Sequence, residues 1–203
     1  MALETITPTA MDWTPSPEEI YRLNVEQYES IVSSGLFTKR DRLHLINGIL
    51  VAKATKKPPH VIACEKTRDA LQRIVPAGWR VMVKAPVRIP MYNEPEPDLG
   101  LARGRAEDYE TRHPEPADLA LVIEVAESSL RQDRDLMRIY SNGGVPTAWI
   151  VNLIDRQVEV FSEPCPEGYR SRQVFDASQE IPLLIDEAVL GRIAARDLLP
   201  QRA

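Results

Sequence analysis

Hydrophobic and polar residues alternate along the chain in short blocks whose spacing predicts the order of helices and strands. Apolar residues recur at helical spacing from 25 to 32, which predicts a first helix that begins after Ser16. Residues 43–53 form two β-type runs around Asn47-Gly48, a pair that tolerates positive φ. This second block therefore predicts a β-hairpin.

Later blocks predict an α/β fold built on a mixed sheet. Residues 119–126 and 147–153 are nearly continuous apolar runs, as in strands that are buried on both faces of a sheet. Residues 131–140 lie between them and predict a short charged helix, so the chain runs strand–helix–strand here. The fold class expected is a central mixed β-sheet flanked by helices, with an N-terminal helix and β-hairpin. The other expected elements are a helix over 60–75, strands over 79–83, 87–89, 156–161 and 169–175, and a strand with a helical turn within 182–199.

Composition favours a single domain. A length of 203 residues and a hydrophobic content of 43% allow one core, predicted over 17–203 behind a flexible tail of residues 1–16. No apolar run approaches the roughly 18 residues that a transmembrane helix needs, so no membrane segment is expected. The first residues lack the basic start and apolar centre of a signal peptide. Cys64 and Cys165 have no metal-type spacing, so we expect reduced thiols in a cytoplasmic protein.

The net charge of −5 argues mildly against a dedicated nucleic-acid-binding protein, because such proteins usually carry a basic footprint. A bound metal ion or a local basic face is still compatible with an acidic whole. A short run of Lys53, Lys56 and Lys57 offers such a face, together with Lys84 and Arg103. These side chains either follow a phosphate backbone or are simply solvated, and the second reading is the default.

Two acidic residues are conspicuous because of where they interrupt the apolar pattern. Glu124 lies within the buried strand predicted over 119–126, and Asp98 opens the apolar run that follows Pro97. A carboxylate in such a place is costly unless it is paired, protonated or bound to a metal ion. If neighbouring strands bring the two acids together, they offer the oxygen ligands that Mg²⁺ prefers. The alternative is a strand-end Asp that accepts turn hydrogen bonds and a Glu that pairs with an arginine.

A set of short stretches carries a family resemblance through its order and spacing: Leu45-Ile46-Asn47-Gly48, Pro58-Pro59-His60, Pro95-Glu96-Pro97-Asp98, Val122-Ile123-Glu124-Val125, Tyr140, Gly144-Val145-Pro146, Trp149-Ile150-Val151 and Asp155-Arg156-Gln157-Val158-Glu159-Val160. From about Arg42 to Pro164 the sequence resembles the Uma-type putative restriction endonucleases, a branch of the PD-(D/E)XK nuclease superfamily. The resemblance implies a restriction endonuclease-like fold in which Asp98 and Glu124 are the motif acids and hold Mg²⁺ or Mn²⁺. It also implies hydrolysis of DNA phosphodiester bonds, with DNA as partner, and a homodimer, because cutting a duplex takes two active sites.

The sequence departs from the family pattern at the expected catalytic lysine. Relatives carry this lysine on the helix after the glutamate, in a pattern like Asp-Arg-x-x-Lys ahead of the tyrosine. Here that segment is 133–140, and the lysine position falls at Leu136 or Met137. Arg134 and Arg138 are the candidates to supply the missing charge, although an arginine cannot lose a proton as a lysine can. The chain is therefore expected to be an active nuclease or, as the alternative, a catalytically impaired nucleic-acid-binding or regulatory module; a purely structural or assembly role is a third, weaker possibility.

Histidines provide the remaining candidates. His60 lies at a helix start, near the family's histidine position, where it either supports catalysis beside a metal ion or phosphate or makes a structural hydrogen bond, and the second interpretation is the default. His44 stands where relatives usually carry glutamate, and we expect it either on the hairpin surface or at the site beside Asp98. His113 is expected to be solvated in a polar loop.

Overall fold

The computed structural model of the chain describes residues 14–38, 40–186 and 188–201. Most of the expected tail, residues 1–13, lies outside the described residues, so its flexibility stays a prediction. Within the described ranges the chain forms three α-helices, namely α1 (Val25–Ser33), α2 (Pro58–Gln72) and α3 (Leu130–Asn142). The strands of the same ranges are β1 (Leu43–Ile46), β2 (Ile49–Ala52), β3 (Trp79–Val83), β4 (Leu99–Arg103), β5 (Leu119–Ala126), β6 (Thr147–Asn152), β7 (Gln157–Cys165), β8 (Gly168–Asp176), β9 (Glu180–Ile185) and β10 (Ala188–Ala194).

A central sheet of six described strands organises the fold in the order β3-β4-β5-β6-β7-β8. The pair β5–β6 is parallel, with Leu121 opposite Thr147, and α3 makes the crossover between these two strands. The other neighbouring pairs of this sheet are antiparallel. The expected mixed sheet with flanking helices, an N-terminal helix and a hairpin is thus confirmed.

Side chains cover the sheet on both faces, which explains why β5 is buried along its whole length. One face packs Trp149 and Val151 against Leu71 of α2 and against Leu183 of the β9–β10 hairpin. The other face packs Ile150 with Met137 and Tyr140 of α3, in a second cluster. In the described part of the chain, no helix is both long and apolar enough to cross a membrane.

The first helix begins later than the sequence pattern predicts. The Asn24 side chain accepts from the Gln27 N–H, and the Gln27 side chain accepts in return from the Asn24 N–H, so this pair forms a capping box. Ser16 instead closes a separate turn, in which its N–H donates to the Glu19 carboxylate. Both sites have capping-box spacing, but the first fully buried apolar residue in the described part of the chain is Val25. The prediction of a helix from Ser16 was therefore wrong in its start.

The strand expected over 87–89 is also absent from the described ladders. Ile89 makes an isolated bridge to Asn93 instead. The flanking prolines, Pro86 and Pro90, lack the N–H groups that a continuous ladder needs, so pairing cannot extend in either direction.

The β1–β2 hairpin turns at Asn47 and Gly48, whose φ angles of 50° and 76° confirm the predicted turn. Leu23 N–H donates to the Gly48 carbonyl, and Glu94 N–H donates to the Leu45 carbonyl. The first bond joins the hairpin to the segment before α1, and the second fixes it over the segment that leads to β4. The hairpin therefore forms one wall above the start of that strand.

Candidate active site

Asp98 and Glu124 lie side by side at one end of the central sheet. Asp98 immediately precedes β4, and the antiparallel register places Leu99 opposite Ile123, so the next position along places Asp98 beside Glu124. Both acids line a cavity of about 470 Å³ whose other walls come from the β1–β2 hairpin and α3. The predicted meeting of the two acids at the end of neighbouring strands agrees with this geometry.

Asp98 is buried, and both of its carboxylate oxygens have polar partners. Its Oδ2 accepts from the Val125 N–H at 3.0 Å and from His60 Nε2 at 2.9 Å. Its Oδ1 lies 3.3 Å from Lys56 Nζ. Burial alone would raise the pKa of Asp98, but the His60 hydrogen bond and the Lys56 charge outweigh burial and hold the pKa below its usual value. Asp98 is therefore the ionised member of the pair.

Glu124 lies in the opposite electrostatic situation. Burial, followed by the negative charges of Asp98 and Asp133, raises its pKa well above the usual value. The Tyr140 hydroxyl donates to Glu124 Oε1 at 2.7 Å and fixes the carboxyl group. Glu124 therefore lines the cavity as a carboxyl group, and a positive charge bound nearby would favour its ionised form.

Asp133 is a third acid at the cavity, and the sequence pattern alone did not single it out as a site residue. It lies in the first turn of α3, is buried, and accepts from the Ser129 hydroxyl at 2.6 Å. Burial and the Asp98 charge raise its pKa to about 6. The available signal was its place as the first residue of the helix pattern that carries the family lysine.

His60, which lies in α2, links Asp98 to Cys64 of the same helix. Because the Asp98 carboxylate can only accept, His60 Nε2–H is the donor, and the other ring nitrogen, Nδ1, lies 3.4 Å from Cys64 Sγ. His60 and Cys64 are one helical turn apart and both are buried. His60 thus orients Asp98 through a hydrogen bond and faces the core with its other edge.

Lys56 supplies a cation that the sequence pattern assigned by default to solvent. Its side chain precedes α2, lines the cavity and forms the ion pair with Asp98. Arg42, Lys53 and Lys84 line the same cavity, and with Lys56 they make up what we call the basic rim. The signal available in the sequence was only the cluster of lysines ahead of His60. Its contact with Asp98, 42 positions along the chain, depends on the path of the fold.

Arg103, another member of the expected basic face, points elsewhere. Arg103 lies at the far end of β4 from Asp98 and pairs with Asp186 at 2.9 Å. Its guanidinium also lies over the Trp79 ring, 4.4 Å from the centroid. Arg103 therefore belongs to the opposite end of the sheet.

The helix α3 turns its arginines away from the cavity. Arg134 pairs with Glu159 of β7, and Arg138, one turn later, is exposed. Arg138 Cγ lies 3.9 Å from the position that a Cβ on Gly168 would take. Leu136 lines the cavity, whereas Met137 is buried in the core. The structure therefore does not bring Arg138 to Asp98 and Glu124, and it identifies Leu136 as the cavity-facing position of the two where the family lysine was expected.

His44 faces the cavity rather than the outer surface of the hairpin. Burial and the charges of Lys53 and Lys56 lower its pKa to about 4, so the imidazole is neutral near pH 7. His113, by contrast, is half exposed and lies 3.8 Å from Glu94, in a different cavity. Of the three histidines, His44 and His60 are associated with the acid pair.

Comparisons with known proteins agree with the expected family and fold. The Uma2 family profile, described as putative restriction endonuclease, matches residues 25–190. A crystal structure of a putative nuclease belonging to DUF820 from Anabaena variabilis ATCC 29413 aligns with a TM-score of 0.69 and 14% sequence identity. This alignment covers 87% of the present chain and 97% of that chain, and it confirms the fold. No curated protein matches the sequence.

Proposed function

The chain belongs to the Uma2 family of putative restriction endonucleases, and we propose that it cleaves DNA phosphodiester bonds with Mg²⁺ or Mn²⁺ as cofactor. The observation that carries the proposal is the meeting of Asp98 and Glu124 at one cavity, with Lys56 beside them. The two acids offer oxygen ligands for a metal ion, and the lysine offers a positive charge for the scissile phosphate. The proposal also includes the homodimer that double-strand cleavage would need.

The donor atoms at the cavity fit a hard divalent cation. Asp98 and Glu124 offer carboxylate oxygens, the ligand type that Mg²⁺ and Mn²⁺ prefer. The two acids are buried, and the charge of Asp98 helps to raise the pKa of Glu124, so a cation bound by both would favour the ionised form of Glu124. Such an ion would polarise a phosphoryl oxygen and lower the pKa of an attacking water. Asp98 and Glu124 are the residues that would hold it.

Lys56 takes the charge role that the helix α3 leaves unfilled. Its ammonium group lies at the cavity beside Asp98, where it can offset negative charge that accumulates on the scissile phosphate. A lysine, unlike Arg138, also keeps a compact, exchangeable ammonium group that can hold a water molecule. We therefore assign the charge-stabilising role to Lys56 and not to Arg138.

The surrounding residues position the acids. His60 donates to Asp98 Oδ2 and leaves Oδ1 facing Lys56 and the cavity, while Tyr140 holds Glu124 from inside α3. Lys53, which pairs with Glu96, and Lys84 line the same cavity, and we assign them to contact the phosphates that flank the cleaved bond. His60 and Tyr140 are therefore positioning residues in this scheme, and the basic rim is the contact surface for the backbone.

The second candidate is a nucleic-acid-binding or regulatory module that has lost cleavage. The observation in its favour is Leu136, an apolar side chain on the cavity wall at the expected lysine position. The two candidates share the basic rim and differ only in cleavage. We further propose a cytoplasmic location, which is consistent with the free thiols of Cys64 and Cys165.

Nicking of supercoiled plasmid by the purified chain separates the candidates. We expect nicking in Mg²⁺ or Mn²⁺, none in EDTA, and a loss of at least about 100-fold in Asp98→Asn and in Glu124→Gln. The matched control is Asp69→Asn, because Asp69 is an exposed acid on α2 that pairs with Arg68. Equal nicking by Asp98→Asn and the wild type would show a contaminating nuclease. Retained DNA binding without cleavage in either ion would overturn the proposed activity in favour of the module.

A further inference from the structure

Three side chains with different metal-binding atoms meet behind the acid pair. Cys64 Sγ lies 3.4 Å from His60 Nδ1, and His60 Nε2 lies 2.9 Å from Asp98 Oδ2. One donor atom from each of the three residues lies within 4.8 Å of the other two. Exposed fractions of 3% for His60, 6% for Cys64 and 4% for Asp98 show that the whole cluster is buried.

The positions of the three residues in α2 and before β4 bring their metal-binding atoms close together. His60 and Cys64 stand at positions i and i+4 of α2, so their side chains lie on the same face, one turn apart. Asp98 reaches this face from the start of β4. A sulfur, an imidazole nitrogen and a carboxylate oxygen form a donor set that suits Zn²⁺, whereas Mg²⁺ requires oxygen ligands alone.

We propose that His60, Cys64 and Asp98 form a binding site for Zn²⁺ or a similar thiophilic divalent cation. Asp98 belongs to this site and also to the Mg²⁺ pair with Glu124. Because one carboxylate then serves both sites, zinc bound to Asp98 places two positive charges beside the hard-metal site and weakens Mg²⁺ binding there. Zinc is therefore an inhibitor of Mg²⁺-dependent cleavage, a consequence that rests on the proposed function, whereas zinc binding itself does not.

Binding requires two local changes. The Cys64 thiol loses its proton to solvent as the ion binds, since a thiolate is the ligand. The two nitrogens of His60 face different partners, so the imidazole ring turns until one nitrogen faces the ion. Three protein ligands leave the fourth tetrahedral position for a water molecule from the cavity.

A cysteine-type nucleophile does not explain the cluster. In such sites the thiol must reach a substrate atom while histidine takes its proton. Here Cys64 lies on the core side of His60 and the cavity lies on the Asp98 side. The thiol is therefore placed to bind an ion that enters past Asp98, and not to attack a substrate.

Cadmium titration of the metal-free protein tests the site without any use of catalysis. One equivalent of Cd²⁺ is expected to give thiolate-to-metal charge-transfer absorption in the ultraviolet. The Cys165→Ser variant should keep this absorption, because Cys165 lies in the β7–β8 hairpin, and Cys64→Ala should lose it. Asp98→Asn provides a second variant that keeps both thiols and should weaken Cd²⁺ binding at least about 10-fold. Absence of the band in the wild type, or its persistence in Cys64→Ala, would overturn the site.

Zinc inhibition of plasmid nicking tests the competition. The Zn²⁺ concentration that halves the nicking rate in Mg²⁺ should rise at least about 10-fold in Cys64→Ala, each protein being compared with its own zinc-free rate. Equal zinc sensitivity of the two proteins would overturn the competition. If the wild type shows no Mg²⁺-dependent nicking, the proposed function fails, but the cadmium titration still decides whether the site exists.

Discussion

Lys56 and Asp98 form an ion pair at the cavity, with Lys56 Nζ 3.3 Å from Asp98 Oδ1. The lysine comes from the segment that leads into α2, whereas the family pattern places its lysine on the helix after Glu124. The cation and the motif acid therefore meet from parts of the chain that the motif does not link. This relationship is the reason to expect cleavage in spite of Leu136.

Replacement of Lys56 by methionine should slow Mg²⁺-dependent nicking by about 100-fold, because the charge that faces the phosphate is lost while the length of the side chain is kept. Lys57→Met is the matched control, since Lys57 is exposed at the start of α2 and should retain the wild-type rate. Rates come from gel assays of nicked plasmid.

A second substitution tests whether a lysine elsewhere on the cavity wall can replace the charge of Lys56. Adding Leu136→Lys to Lys56→Met should recover at least about 10-fold of the lost rate, because Leu136 lines the same cavity. If Lys56→Met alone nicks DNA at the wild-type rate, Lys56 has no role in cleavage.

Arg138→Ala should nick DNA at close to the wild-type rate. Arg138 is exposed on the face of α3 that turns toward the β7–β8 hairpin, and so its removal leaves the cavity unchanged. Nicking assays beside Lys56→Met provide the comparison. A loss as large as that of Lys56→Met would return the helix arginine to the site.

Glu124→Gln should stabilise the metal-free fold at pH 8 while it abolishes cleavage. The folded-state pKa of Glu124 is raised, so the folded protein holds its proton more tightly and loses stability as the pH rises above the usual value of 4.5. Glutamine resembles the protonated group and still accepts from Tyr140, which predicts a gain of about 1–3 kcal/mol in the free energy of unfolding in EDTA.

Thermal denaturation with and without Mg²⁺ checks this trade-off. Mg²⁺ should raise the melting temperature of the wild type and leave that of Glu124→Gln unchanged, because only the wild type keeps both carboxylates. A lower melting temperature for Glu124→Gln than for the wild type in EDTA at pH 8 would contradict the prediction.

Glu94 provides a pH-dependent prediction outside the acid pair. It is buried beside a second cavity of about 560 Å³, and Oε2 has no hydrogen-bond partner among the described residues. Burial and the charge of Glu29 raise its pKa to about 7. A raised acid pKa costs stability as the pH rises from 4.5 to 7, so Glu94→Gln should add up to about 3 kcal/mol at pH 8 and little at pH 5. Urea unfolding at both pH values measures this, and a gain of equal size at pH 5 and pH 8 would be inconsistent with it.

The sequence predicts those parts of the molecule that local rules control. The turn at Asn47-Gly48 follows from backbone conformation, and β5 follows from its unbroken apolar run. The convergence of Asp98 and Glu124 required only that two strands be neighbours. The first two predictions succeed because each depends on a few consecutive residues, and the third agrees with the structure because β4 and β5 are neighbours in the sheet.

The sequence fails where distant segments or competing signals decide. The ion pair of Lys56 with Asp98 joins positions 42 apart, which no periodicity encodes. Asn24, and not Ser16, caps the first helix, because packing on the core and not capping-box spacing decides where the helix begins. The orientation of Arg138, in contrast, could have been deduced from the sequence. At 100° per residue, Arg138 lies on the same helix face as Arg134 and on the opposite face from Leu136.

Manganese soaked into crystals of the protein, followed by anomalous diffraction, tests most directly whether Asp98 and Glu124 share one ion. The proposed site predicts an anomalous peak bound by one oxygen of each carboxylate, and its loss in Asp98→Asn. A well-ordered cavity without such a peak, or a peak that touches neither carboxylate, would contradict the metal site and with it the proposed cleavage.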